Sequence, residues 1–183
     1  MALLPTSKTA IDFLTVGKPA REDSRAAFRE TRWYELGPKD WDPYKEAREL
    51  RRSGGAFRDD DPRAVDLLKK LRDLWDNAPT NPALDGAAIR IPGYVVPLEH
   101  EKAGVTEFLL VPYFGACIHS PPPPSNQILR ATTNGPIAGL RTMDNVWVRG
   151  RLTVARSDTS MGSSSYSLLV ESVEPYKREA SAK

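Results

Sequence analysis

The chain is poor in the residues that most chemistry uses. It has one cysteine and two histidines in 183 residues. A single cysteine excludes an internal disulfide framework. No run of about eighteen apolar residues occurs, so no segment reads as a membrane-spanning helix. The start, Met1-Ala-Leu-Leu-Pro-Thr-Ser-Lys8, lacks the basic beginning and apolar stretch of a secretory signal. On that reading the protein either stays inside the cell or has lost a leader. A net charge of +2 is too small to argue for nucleic acid or an anionic membrane. Arg130, Arg141, Arg149 and Arg151 fall near expected strands, but without interleaved aromatics, so no nucleic-acid partner is expected. The serine-rich stretch Ser157 to Ser165 lacks the glycine–lysine spacing and following helix of a phosphate loop, and reads as a hairpin.

What is present is ordinary in amount and unusual in arrangement. Hydrophobic content of 40% and charged content of 27% suit one soluble globular domain. Sixteen prolines against twelve glycines imply stiff connections. The segment Val111 to Gln127 holds Cys117 and His119, two residues apart, followed by Pro121, Pro122, Pro123 and Pro124 and then Asn126-Gln127. In extended backbone, positions i and i+2 share a face, which predicts thiol and imidazole side by side. The proline run fixes φ and predicts a stiff arm.

The organisation divides readily. Residues 1–32 show no sustained periodicity and are expected to form a partly disordered arm. Residues 33–176 form one expected domain, with a helical lead-in at 33–82 and a β-barrel at 83–176, and 177–183 form a solvated tail. Trp33, Tyr34 and Trp41 look like an aromatic anchor. Asp42-Pro43 and Asp61-Pro62 are helix starts, with Asp as N-cap and Pro in the first turn. The first predicted helix stops at Gly54-Gly55 and the second at Asn77. The second places Val65, Leu68, Leu71 and Trp75 on one face as a cover for a core. Strand patterns follow over 88–98, 105–111, 127–132, 146–155 and 165–173, with bends at Pro92-Gly93 and Gly150. The expected fold is mostly β: a small OB-like antiparallel barrel of about five strands preceded by two α-helices, with a β-sandwich as the alternative.

Three pieces, 84–99, 107–127 and Val146-Trp-Val-Arg-Gly-Arg-Leu152, together resemble a bacterial domain of unknown function marked by Gly115-Ala-Cys-Ile-His119, the prolines and Asn126-Gln127. The resemblance covers roughly Trp33 to Tyr176. It implies an exported protein of the periplasm or cell envelope, in some cases lipid-anchored, with some relatives encoded beside transport and metal-homeostasis genes. It brings no catalytic mechanism.

Three readings of the site follow. The first is a transition-metal site for Zn or Cu on Cys117 and His119, because thiolate and imidazole suit soft and borderline ions. Glu99 and Glu107 are the expected further ligands, and His100 is a loop candidate. The second is a thiol-dependent enzyme with Cys117 as nucleophile, His119 as base, and Asn126 or Gln127 orienting the ring or an oxyanion. The third makes the loop a docking surface for a protein partner, such as a transport-system component. There Tyr113, Phe114, Pro121 to Pro124, Asn126 and Gln127 supply the contacts and Cys117 merely packs. A non-enzymatic role is expected over an enzymatic one, since unusual loops on small barrels more often bind than catalyse.

Overall fold

The computed structural model describes residues 28–42, 45, 48, 49, 52, 62–101, 103–118 and 122–176. Most of the expected arm, most of the first expected helix, and the tail lie outside the described residues. The second expected helix is present as α1, Pro62–Asp76. It ends where Asn77 donates both its backbone N–H and its side-chain amide to Asp73 O, at 3.1 and 2.8 Å, with Pro79 close behind. Its role as a core cover needs correction. Val65 and Leu68 are 62% and 65% exposed, while Leu71, Leu74 and Trp75 are half-buried. The buried clusters take no described residue from α1.

Six strands form one sheet: β1 (Arg29–Glu30), β2 (Ala88–Glu101), β3 (Gly104–Val111), β4 (Leu129–Ile137), β5 (Asn145–Thr159) and β6 (Gly162–Pro175). Their order is β1-β2-β3-β4-β6-β5, and β5 returns to pair with β2, so five strands close a barrel. The expectation of a wholly antiparallel barrel fails at one seam. β4 and β6 run parallel, from Leu129 opposite Tyr166 to Thr133 opposite Val170. The connection from β4 crosses to β5, which lies beyond β6, so β6 comes back alongside β4 in the same direction.

β2 is long enough to serve two neighbours. Its first half, Ala88 to Tyr94, pairs with β5, and its second half, Tyr94 to Glu101, pairs with β3. The hand-over falls at Tyr94, directly after Pro92-Gly93, where a bend was expected. A Cβ on Gly93 would sit 2.8 Å from Leu110 Cγ and 2.9 Å from Val111 O, so only glycine allows the close approach. β1 adds in parallel beside Ile89 and Arg90, within the stretch expected to be an arm.

Strand alternation sends Ile89, Ile91, Val95, Phe108, Leu110, Val146, Val148 and Leu168 into the barrel. The lead-in belongs to that core and is no separate layer. Leu36 is fully buried in it, and Trp33 Nε1 donates to Pro92 O at 2.7 Å. Tyr166 is buried in the same core, and its hydroxyl donates to Leu36 O at 2.5 Å. On the opposite face of the sheet, Val96, Leu109, Val111 and Ile128 form a second, smaller cluster with Ala116. The segment after β3 supplies Ala116 and packs Cys117 against this face, which places the signature loop over the outside of the barrel wall.

Candidate functional site

The signature loop is built from turns, not from extended chain. Ala116 N donates to Tyr113 O at 3.4 Å and Ile118 N to Gly115 O at 3.3 Å. Gly115 has φ 84° and Cys117 has φ 65°. The side-by-side projection expected from i and i+2 in a strand therefore does not apply at Cys117. Left-handed backbone costs a non-glycine residue about 1–2 kcal/mol, so cysteine is held here against its preference. Its thiol is half-buried against the outer cluster, whose other partly buried neighbours are Tyr94, Leu98, Met143 and Met161. Burial pushes the thiol up from the ordinary 9.0 to about 11. His119, Ser120 and Pro121 lie outside the described residues.

Past the prolines the loop turns inward. Pro123, Pro124, Ser125 and Asn126 are buried, and Pro122 is exposed beside the β5–β6 hairpin. Ser165 Oγ donates to Ser125 Oγ at 2.7 Å. Asn126 Nδ2 donates to Pro79 O at 2.8 Å, and Gln127 Nε2 to Trp33 O at 3.0 Å. The N–H groups of these amides clamp the lead-in onto the barrel, while Asn126 Oδ1 is buried without a hydrogen-bond partner among the described residues. While the domain stays folded, Pro123, Pro124 and Asn126 offer no surface to a partner.

The two carboxylates meet each other rather than the thiol. Glu99 stands opposite Glu107 across the β2–β3 seam, an arrangement that repels unless neutralised. Arg130 supplies the neutralising charge, with Nε 2.6 Å from Glu107 Oε1 and Nη1 3.0 Å from Ser157 Oγ. The hydrogen bond to Glu107, helped by the charges of Glu107 and Glu99, raises the Arg130 pKa. Among the described residues no three His, Cys, Asp or Glu side chains gather in one place, so Cys117, Glu99 and Glu107 are not brought together. The side chain of His100 lies outside the description.

A groove of about 500 Å³ opens where β2 changes neighbours, lined by Trp33, Pro92, Gly93, Tyr94, Pro112, Asn145 and Tyr176. Aromatic contacts extend its walls. Phe114 sets its ring edge-on to Tyr94 at 5.9 Å and is 66% exposed, while Trp147 stacks on Tyr176 at 5.5 Å. The Arg90 guanidinium lies 3.7 Å over the Trp147 ring. Of the aromatics gathered at this groove, only Phe114 is among the residues expected from the sequence to bind a partner. Tyr94, Trp147 and Tyr176 come together through the β2–β5 and β5–β6 pairings, which no local pattern encodes.

Residues 33–175 match the family described as "Protein of unknown function (DUF3299)". A crystal structure of a DUF3299 family protein from Pseudomonas aeruginosa PAO1 is 35% identical to the chain. It superposes with a TM-score of 0.64 over 84% of this chain and 99% of that one. No curated protein matches the chain.

Proposed function

We propose a binding role for this chain, which belongs to the DUF3299 family of proteins of unknown function: a non-enzymatic accessory protein of the cell envelope that takes Zn or Cu through Cys117 and His119. The observation that carries this reading is the backbone at Cys117. Packing alone would be served by glycine or asparagine at φ 65°, or by a cysteine elsewhere. A thiol kept there, half-buried and reluctant to ionise, is a poor nucleophile, whereas a cation that displaces its proton would hold the sulfur as a coordinated thiolate. The amide N–H groups of Asn126 and Gln127 donate to the backbone carbonyls of Pro79 and Trp33, which gives these residues a structural role. The strand order supports an OB-like reading of the barrel, since β5-β2-β3-β4 is a Greek-key arrangement with β6 inserted in parallel to close it.

The test is elemental analysis of the purified full chain, with thiol titration before and after a chelator. The expected result is close to one Zn or Cu per chain and a thiol that reacts only once the metal is removed. A metal-free protein that takes up neither ion on addition, with a thiol equally inert throughout, overturns the reading. A protein-partner function is the second reading, favoured by the aromatic groove and by the exposed ring of Phe114 at its edge. Under it, replacing Phe114 by Ser abolishes partner capture and leaves metal content unchanged.

A further inference from the structure

Sulfur is scarce in this chain: one cysteine and three methionines, one of them Met1. The other three sulfur side chains, Cys117, Met143 and Met161, all pack against the same outer cluster of Val96, Leu109, Val111, Ala116 and Ile128. They arrive from three separate places: the turn after β3, the β4–β5 connection and the β5–β6 hairpin. The much larger barrel core contains no sulfur among the described residues.

Backbone geometry singles out two of the three. Among the described non-glycine residues, positive φ occurs at Cys117 and Met143, both at 65°. Gly115 N donates to Met143 Sδ at 3.1 Å, which sets that thioether on the turn that carries Cys117. Met161 precedes Gly162, where a Cβ would lie 3.2 Å from Pro122 and 3.4 Å from Ile128, so the hairpin is pressed against the loop and the cluster.

We propose that Cys117, Met143 and Met161 are the protein's ligands for a soft monovalent ion, Cu(I). Thiolate and thioether donors select Cu(I), whereas Zn(II) takes thiolate, imidazole or carboxylate and has little use for methionine. The site rests on the loop metal site proposed above and replaces its expected carboxylates, since Glu107 is engaged with Arg130. Loading is an exchange with no change of oxidation state. The Cys117 S–H bond breaks, a Cu–S bond forms, and one proton leaves to solvent for each Cu(I) bound.

The experiment is anaerobic competition of the full chain against a chromophoric Cu(I) chelator, with a parallel Zn(II) competition. Wild type is compared with Met143→Leu, Met161→Leu, Cys117→Ser and His119→Ala. Leucine conserves most of the methionine volume, and thermal denaturation of each variant reports whether the fold holds. The expected result is one Cu(I) per chain, with each Met→Leu variant weakening Cu(I) at least tenfold and leaving Zn(II) affinity unchanged. Should one methionine variant fail to fold, the other decides. Unchanged Cu(I) affinity in the methionine variants, with loss in Cys117→Ser and His119→Ala, overturns the sulfur site and leaves the Cys–His reading standing. Wild type that binds neither ion overturns both.

Discussion

Tyr166 is fully buried, and its hydroxyl donates to Leu36 O at 2.5 Å while accepting from Asn81 N at 2.7 Å. Asn81 N also lies 3.0 Å from Leu36 O, so the two backbone groups keep each other if the phenol oxygen is removed. Tyr166→Phe is therefore expected to cost about 1–1.5 kcal/mol, one net hydrogen bond, rather than the sum of two orphaned groups. Thermal unfolding reads this as a drop of about 2–6 °C. Cys117 gives the pH-dependent case. Its thiol titrates at about 11 in the fold against an ordinary 9.0, because burial disfavours the thiolate. The metal-free protein should then be alkylated at pH 8 about a hundredfold more slowly than the same chain in denaturant. The sign for stability follows from a raised folded value. The contribution is complete below pH 9 and is lost as pH rises through about 11. Relative to Cys117→Ala, wild type should lose denaturant resistance over that window. The sequence made Cys117 visible as a candidate but hid its geometry, because a left-handed turn at Gly115 and Cys117 is set by the sheet beneath it.

Elements differ in how openly they are written. The caps and apolar spacing of α1 are local, and the helix lies where they predict it. What its apolar stripe faces is a tertiary matter, and Val65 and Leu68 remain exposed. The double variant Val65→Lys, Leu68→Glu should stay within about 0.5 kcal/mol of wild type, measured by denaturant melts. Gly150 shows the opposite case. It read as a bend inside an alternating strand, and a register shift does fall between Arg149 and Gly150. The reason for glycine lies in the neighbouring strand, where a Cβ would come 2.3 Å from Leu169 O. Backbone cannot yield as a side-chain end can, so Gly150→Ala must open the β5–β6 seam. A loss of about 3 kcal/mol or more is expected, at the upper end for overpacking. The parallel β4–β6 seam was not legible at all, since strand direction depends on which strand lies between them in space.

For the molecule as a whole, the change of pattern near residue 82 suggested one domain made of a helical lead-in and a β-barrel, with the lead-in's aromatics laid against the body. The long-range bonds join the two. Trp33 donates to Pro92, Gln127 to Trp33, Asn126 to Pro79 and Tyr166 to Leu36 O, and Leu36 fills the barrel core. Asn126-Gln127 therefore read as part of a site because their partners, 47 and 94 residues away in the chain, could not be seen from either end. A fragment of residues 83–176 keeps all five barrel strands, yet it loses Leu36 and the donors and acceptors that close the barrel end. Small domains sit only a few kcal/mol above unfolding, and a missing fully buried leucine alone takes about 2–5 kcal/mol. The fragment should show strand content by circular dichroism without a cooperative melt, and should bind a hydrophobic dye that the full chain excludes. The full chain should melt in a single transition seen alike by far-ultraviolet dichroism and tryptophan fluorescence. A fragment that melted cooperatively without the lead-in would reduce the Trp33–Leu36 turn to a docked strap, and the clamp assigned to Asn126 and Gln127 would lose its purpose.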